Sequence, residues 1–472
     1  MSAPRALMPA GIFLVAFLLF LPSFDAYFAV LDFNHLDAIR RTDASTFFLR
    51  IFDPSDGGRA IIGTGNLYRP IYYSLFWFEY QIFGADPTPY YVFNAALHAL
   101  NAVLVWSLAW RLTRSKLASA AGALIWAFHP QYADAVAWVS STTDLLLVFF
   151  SLSALLLYAR GLDAEGRGRW LAFGGAFAAT LLAIGAKESG VVVVPIIVGY
   201  HLLVGEPDWW RQRRVPWSLL PFVLVPAVYF PLRALFVGNL AAEGESTFMT
   251  FDMLRNVQRL TGLAAGPLVG QTVSNSGYGV GQGAAGVGII AFTLVMALLG
   301  SRRERFLAGW YYVALVPVLV FPWTWLIGRY LYLPTVGLAI LTGIAVARAV
   351  ELVPVPRALA LVRPAAGVAI VAGALVWLGV LNVGYQDWLT AKGADAERFI
   401  SALKEAHPAL PEDGRLIVTE APRSLSLTPD DGMMLGPAVR IAYGRDVEVV
   451  TLARLEREGL PLARAYDIWY PP

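Results

Sequence analysis

The sequence predicts an α-helical polytopic membrane protein with a small outer α/β domain at its C-terminal end. Three observations carry this prediction. Hydrophobic residues make up 57% of the chain and charged residues only 15%, against about 25% charged in ordinary soluble domains. Apolar windows of membrane-spanning length recur between residues 8 and 384. After Tyr385 the pattern shifts to short segments of mixed helical and strand periodicity.

A spanning helix needs about 20 mostly apolar residues. Such windows lie near 8–24, 90–110, 117–129, 142–159, 170–186, 189–205, 217–237, 283–300, 306–322, 333–350 and 364–384. This gives about eleven transmembrane helices, the third of them short, with 256–272 a further membrane-associated helix. Arg5 followed by an apolar run has the outline of a secretory signal, but no small-x-small cleavage pattern follows at residues 22–25, so the segment reads as a retained first span.

Alternate loops are basic: Arg111, Arg114 and Lys116; Arg160, Arg167 and Arg169; Arg211, Arg213 and Arg214; Arg302, Arg303 and Arg305; Arg348, Arg357 and Arg363. By the positive-inside rule these loops and the N-terminus are cytoplasmic. The opposite loops and the C-terminal domain then face outward, which in a bacterium is the periplasmic or extracellular side of the inner membrane. The first outer loop (25–89) is long, aromatic and punctuated by Pro54, Pro70, Pro87 and Pro89, a pattern expected of one or two helices lying along the membrane surface. Residues 1–385 form the transmembrane domain on this reading, and residues 386–472 the outer α/β domain, with helices at 394–406 and 434–444 and strands at 415–420 and 446–452. No internal repeat stands out, which disfavours an inverted-repeat transporter.

The outer side collects the chain's unusual polar residues. Asp32 sits between Leu31 and Phe33, an apolar setting that raises a carboxylate pKa toward the value a general base needs, and Asp37 follows five residues later. His129 and Asp134 lie in HPQYAD, where Pro130 ends the third span. Lys187 and Glu188 interrupt LLAIGAKESGVVVVP; they read either as a mutual surface pair or, for Lys187, as a point charge for phosphate. Arg329 in GRYLYLP can grip a phosphate with two parallel hydrogen bonds or anchor at the headgroup boundary beside Tyr330 and Tyr332. Arg69 in LYRPIYY is a third outward cation. With zero cysteines, thiolate metal sites and thiol catalysis are excluded. No tight ligand spacing such as HExxH links His35, His129, Asp32 and Asp134, so no protein-held metal and no cofactor is expected, although a divalent ion could be. A net charge of +2 spread over alternating loops implies no nucleic-acid partner.

Acids and cations together on the outer face of an apolar bundle suit a lipid-linked phosphate substrate. The lipid requires lateral entry from the bilayer, the phosphate requires cations, and activating an acceptor hydroxyl requires a carboxylate.

An acid after the first span, YRP before the second, NAALHALNAVLVW (94–106), FHPQYADAVAWVSSTTDLLL (128–147), AKES and GRYLYLP occur in an order that resembles GT-C membrane glycosyltransferases. The branch most resembled contains the protein O-mannosyltransferases and the tetratricopeptide-repeat transmembrane mannosyltransferases. The resemblance covers roughly residues 8–350 and is most specific in HPQYADAVAWVSSTTDLL. It implies a polyprenyl-phosphate-linked sugar donor, attack at the anomeric carbon with phosphate leaving, and inversion there. It also implies an acceptor hydroxyl on protein, lipid or polysaccharide, and a catalytic acid at the position of Asp32. Relatives often carry two adjacent acids at that point, whereas this chain has Leu31 before Asp32, so Asp37 or Asp134 could assist. Arg329, Lys187, Arg69, His129, Glu188 and Tyr332 are the candidate substrate-binding residues. A lipid-linked glycan polymerase or ligase, a transporter, and a non-catalytic lipid-glycan binder are the competing readings.

Overall fold

The computed structural model describes residues 3–63, 67–206, 208, 216–237, 252–270, 280–319, 327–352, 362–410, 415–419, 422–425, 434–458 and 465–469. Among these, eight helices are long and apolar enough to cross a membrane: Thr88–Thr113, Val139–Asp163, Gly166–Ala186, Glu188–Gly205, Trp217–Phe236, Gly281–Leu299, Thr335–Leu352 and Ala365–Ala406. Leu7–Leu18 and Lys116–Phe128 are shorter apolar helices. These ten match ten of the expected windows. The other window, 306–322, is occupied by the helix Arg302–Leu315 and one 3-10 turn, Val316–Val318. Residues 320–322 of that window lie outside the described residues. The chain is an integral membrane protein with a helical core.

The helix Thr142–Asp163 shows how the two ends of the bundle differ. Near its start, Asp144 meets the ammonium of Lys187. At its other end, Asp163 meets Arg111 at 2.7 Å, roughly 28 Å away at 1.5 Å per residue. Arg303 donates to the carbonyl of Leu112 at 2.6 Å, and Arg348 pairs with Glu304 at 2.5 Å. Several of the basic loops are thus gathered at the Asp163 end. Of the other loop cations, Arg211, Arg213, Arg214 and Arg357 lie outside the described residues, as do residues 238–251, 271–279 and 322–326 of the outer stretches.

The first outer loop holds more helix than expected. Four helices occupy it: Leu31–Arg41, Ala44–Phe52, Arg59–Ile62 and Pro70–Phe83. Asp43 caps the second by accepting from the backbone N–H of Thr46 at 3.0 Å. Gly58 and Gly63 bound the third with φ of 84° and 72°, a left-handed conformation that glycine adopts without a Cβ penalty. Helices this short gave too little periodicity to be separated by sequence pattern.

The C-terminal segment begins with a helix that runs unbroken from Val362 to Ala406, so the boundary drawn at residue 385 falls inside it. The reason lies in two polar residues. Gln386 is buried and donates to Asn382 Oδ1 at 2.7 Å and to the carbonyl of Leu19 at 3.1 Å, so the helix is still docked on the first span at the point where its hydropathy drops. Beyond it stands a three-stranded parallel sheet of β1 (Arg415–Val418), β2 (Glu448–Thr451) and β3 (Ala465–Trp469), in the order β2-β1-β3. The central strand buries Leu416, Ile417 and Val418 in succession, as a strand covered on both faces must. The helices Leu435–Tyr443 and Leu452–Glu458 accompany the sheet. β3 was not expected from the sequence.

Close helix packing in the bundle depends on small residues. A Cβ on Gly343 would run into the carbonyl oxygen of Ala118 and lie 2.7 Å from the backbone nitrogen of Gly122. Gly343→Ala should therefore destabilise the protein by about 1–3 kcal/mol through overpacking, read as a lowered unfolding midpoint in detergent. Gly373, whose Cβ would meet nothing within 4 Å, supplies the comparison: Gly373→Ala should leave the midpoint unchanged or slightly raised.

Candidate active site

A cavity of about 600 Å³ opens among the helices at the Asp144 end of the bundle. Its polar part is built where chain segments break. The helix Gly166–Ala186 ends as Lys187 turns extended, at φ −156° and ψ 139°, and a 3-10 turn, Glu188–Val192, starts at once. Arg69 immediately precedes Pro70, the first residue of its helix. Arg329 and Tyr330 lie on the 3-10 turn Gly328–Leu331. Four cations, Arg69, Lys187, Arg233 and Arg329, line this space together with two carboxylates, Asp144 and Glu188. The remaining wall includes Val192, Pro195, Phe230, Val316 and Val318. Phe230 and Val316 are also exposed on the outside of the bundle, so the apolar wall adjoins surface that lipid can cover.

Lys187 and Glu188 do not pair with each other. Lys187 Nζ lies 2.5 Å from Asp144 Oδ1 and 5.3 Å from the centre of the Tyr330 ring. Glu188 accepts from Arg69 Nε at 3.0 Å and from the backbone N–H of Tyr68 at 3.0 Å. Arg329 donates to Ser141 Oγ at 3.0 Å, reaches within 4.0 Å of Asp144 Oδ2, and stacks over Trp138 with its guanidinium carbon 4.7 Å from the ring centre. The second oxygen of Asp144 has no hydrogen-bond partner among the described residues. Burial pulls the Lys187 ammonium below its ordinary value despite the carboxylate beside it.

Asp32 is fully buried at the start of its helix and faces the same loop. Oδ1 accepts from the backbone N–H of Ser140 at 2.8 Å and from the Ser140 hydroxyl, and Oδ2 accepts from the backbone N–H of Ala29 at 3.0 Å. Burial pushes the carboxyl up to about 6, against the lowering effect of these hydrogen bonds. Asp32 itself is not part of the cavity wall, but its neighbours Leu31, His35 and Ser140 are. His35 Nδ1 lies 3.4 Å from Ser140 Oγ and 3.0 Å from the hydroxyl of Tyr72. Val30, just before the helix, has φ 50° and ψ −116°, a conformation that costs a β-branched residue of order 1–3 kcal/mol.

Four of the other sequence candidates lie away from the cavity wall. The carboxylate of Asp37 is taken by Arg440, at 2.6 and 2.8 Å, and by Arg40 at 3.2 Å. Its place on the acid-bearing helix turns it toward the C-terminal domain. His129 uses both ring nitrogens within the protein: Nδ1 accepts from the backbone N–H of Gln131 at 3.3 Å and Nε2 donates to the carbonyl of Ala264 at 3.0 Å, while the ring stacks on Tyr132. Tyr332 points into the bundle, with its hydroxyl 2.8 Å from His98 Nδ1, and it is Tyr330 that faces the cavity. Asp134 is buried with Oδ1 lacking a partner among the described residues, and burial pushes it up to about 6.

Three groups of residues in the site were not singled out from sequence. Asp144 looks in SSTTD like a helix-start acid. Arg233 is the lone charge within the span Trp217–Phe236, a signal that marks functional sites in membranes. In NAALHALN, the third group, Asn94, His98 and Asn101 fall on one helical face. Asn94 accepts from the Thr142 hydroxyl at 2.7 Å and donates to the carbonyl of Val136 at 3.3 Å, and Asn101 donates to the carbonyl of Leu145 at 3.0 Å. His98 joins Tyr332 to the carbonyl of Ala127. This face holds the loop that presents Trp138, Ser140 and Asp144.

The Asp144–Lys187 contact has a direct test. Asp144→Ala leaves a buried ammonium without its nearest counter-charge and should cost about 3–5 kcal/mol of stability. Adding Lys187→Met should recover most of the lost unfolding midpoint. If the double variant is no more stable than Asp144→Ala, the pair is not what holds the two segments together.

The chain resembles known proteins in sequence and in fold. Residues 69–232 match the family described as dolichyl-phosphate-mannose-protein mannosyltransferase. Protein O-mannosyl-transferase Tmtc3 of Drosophila melanogaster is 30% identical over 162 residues, 29% of this chain and 17% of the relative. A protein O-mannosyl-transferase of Caenorhabditis elegans is 26% identical over 156 residues, covering 32% of this chain and 21% of the relative. The matched segment thus spans about a fifth of these relatives' length. The family match over residues 69–232 takes in Arg69, Asp144, Lys187 and Glu188 but neither Asp32 nor Arg329. In fold, ArnT from Cupriavidus metallidurans bound to undecaprenyl phosphate superposes with a TM-score of 0.52 at 15% identity, over 99% of this chain and 90% of that one. The archaeal oligosaccharyltransferase AglB from Archaeoglobus fulgidus, in complex with an inhibitory peptide and a dolichol-phosphate, gives 0.53 at 12% identity, over 94% of this chain and 65% of that one. The chain thus shares its fold with these membrane proteins across nearly its whole length, and residues 69–232 carry the sequence likeness to the mannosyltransferase family.

Proposed function

We propose that this protein is an inverting glycosyltransferase that moves a sugar from a polyprenyl-phosphate carrier to an acceptor hydroxyl on the outer face of the membrane. The observation that carries the reading is the composition of the cavity wall: among the described residues four cations and two carboxylates line it, next to an apolar flank, with a buried acid one hydroxyl behind it. Cations gathered on one wall suit a lipid phosphate, and suit it better as it departs and gains charge. The named activities of the sequence relatives and the lipid phosphates bound in the two fold relatives support the same donor class.

In this reading the acceptor oxygen attacks the anomeric carbon from the face opposite the phosphate. The carbon–oxygen bond to phosphate breaks as the new glycosidic bond forms, so the configuration inverts and the electron pair leaves with the polyprenyl phosphate. The acceptor proton passes to Ser140 Oγ while the Ser140 proton passes to Asp32 Oδ1. Arg329, Lys187, Arg69 and Arg233 steady the leaving phosphate. Arg329 and Lys187 are the foremost of them because both sit beside Asp144, which they can leave for a better anion. The chemistry proceeds without a divalent metal, so EDTA should leave turnover unchanged. The basic loops face the cytoplasm, and the cavity faces outward.

Turnover can be followed with undecaprenyl-phosphate mannose as donor and release of undecaprenyl phosphate as readout. Asp32→Asn should lower kcat by about 10²-fold to 10⁴-fold, with donor binding kept, and activity within twofold of the parent would overturn the assignment. Arg329→Lys keeps the charge but loses the planar fork, and should weaken donor binding; unchanged donor affinity in Arg329→Ala would remove that residue from the phosphate site.

A base raised to about 6 is active only when deprotonated. The rate should therefore fall with a midpoint near pH 6, not near 4, as the medium is acidified. Asp134 is raised to a similar value, so the same profile in Asp134→Asn separates the two: the acid limb should persist there.

A further inference from the structure

We infer that the C-terminal domain positions the acid-bearing helix, and that Arg440 and the carbonyl of Ser424 are the positioning groups. The inference rests on the reading of Asp32 as the base. On the cavity side the helix Leu31–Arg41 is held through Asp32 and His35, by Ser140 and Tyr72. From the other side it is gripped at both ends. At its start, the backbone N–H of Val30 donates to the carbonyl of Ser424 at 3.2 Å. Ser424 is buried, and its hydroxyl donates to Asp395 Oδ2 at 2.8 Å. Asp395 belongs to the helix Val362–Ala406, so the carbonyl that receives Val30 is anchored to the membrane domain.

Further along, Arg440 of the helix Leu435–Tyr443 places two nitrogens on Asp37 Oδ2, at 2.6 and 2.8 Å. Both partners are largely shielded from water, with side chains 17% and 6% exposed. Asp446 adds pairs to Arg40 and to Arg41, the latter at 3.4 Å. A third contact precedes the helix: a Cβ on Gly393 would strike the carbonyl oxygen of Tyr27, so the long helix lies directly against the segment that leads into Val30.

The unusual backbone of Val30 gives these contacts their purpose. A β-branched residue at φ 50° relaxes unless its surroundings over-determine it. Relaxing it would swing Leu31 and Asp32 away from Ser140. The Ser424 carbonyl and the Arg440–Asp37 pair supply that constraint from a separate part of the chain. Because misplacement of about 1 Å can cost up to ~10²-fold in rate, the C-terminal domain governs the rate of the chemical step while leaving the phosphate site in the bundle alone.

The full-length protein in lipid nanodiscs, with undecaprenyl-phosphate mannose as donor, tests this through Arg440→Ala. The expected result is a fall in kcat of roughly 10-fold or more, donor KM within twofold of the parent, and an acid limb displaced to lower pH as the loosened carboxylate becomes hydrated. Amide exchange in residues 28–36 should quicken while residues 95–108 of the bundle stay protected. Arg440→Lys should restore at least half of the lost kcat. A kcat within twofold of the parent, or a loss that leaves the acid limb and the exchange of residues 28–36 where they were, would overturn the inference. If Arg440→Ala does not yield folded protein, Asp37→Asn, nearly isosteric, decides by the same readouts. Asp32→Asn, run in parallel, separates the two levels: an active Asp32→Asn removes the base, whereas an inactive Asp32→Asn with an unaffected Arg440→Ala removes only the positioning role.

Discussion

The burial of Lys187 beside Asp144 is the constraint on which the rest of the site depends. An ammonium at the edge of an apolar bundle is costly unless a carboxylate accompanies it, and here they meet at 2.5 Å. That contact fixes the break after Ala186 against the start of the helix Thr142–Asp163. Once Lys187 and Asp144 are placed, Arg329 lies 4.0 Å from Asp144 Oδ2 and stacks on Trp138. Arg69 and Glu188 make a parallel pair across the same space. The result is a set of cations gathered on one cavity wall. Such a gathering is poor for stability and good for holding an anion.

The loop from His129 to Ser141 converts this electrostatic frame into geometry. Its backbone is fastened by Asn94 at the carbonyl of Val136 and by His129, whose two ring nitrogens bind Gln131 and Ala264, while Asn101 holds the following helix at the carbonyl of Leu145. Its far end offers the Ser140 N–H and hydroxyl to Asp32. A single rigid loop therefore touches the acid on one side and, through Ser141, Arg329 on the other. Asp32 and Arg329 lie on separate elements, and this loop contacts both.

Much of this was legible in the sequence, and the exceptions have physical causes. Hydropathy identified ten of the spans because lipid requires long unbroken helices; the described part of the window 306–322 is the helix Arg302–Leu315 and the turn Val316–Val318. Asp32, Lys187, Glu188, Arg69 and Arg329 could be singled out because ionisable residues at the ends of apolar stretches are conspicuous. Their partners could not be read. Lys187 and Glu188 are adjacent in the chain, and only the extended turn at Lys187 sends them to Asp144 and Arg69. Tyr330 and Tyr332 look equivalent in GRYLYLP, yet a 3-10 turn separates their directions. Asp37 resembles a second active-site acid until Arg440, about 400 residues on, is brought against it. Pairings of this kind depend on tertiary contacts that no local pattern encodes.

The most direct test of the account is the position of a lipid phosphate in the protein. A cryo-EM or crystal structure determined with undecaprenyl phosphate should show the phosphate between Lys187 and Arg329, with Asp144 displaced from at least one of them and the lipid chain running along Val192, Phe230 and Val316. Phosphate density on the opposite, basic-loop end of the bundle, or a cavity left empty at saturating lipid, would contradict it.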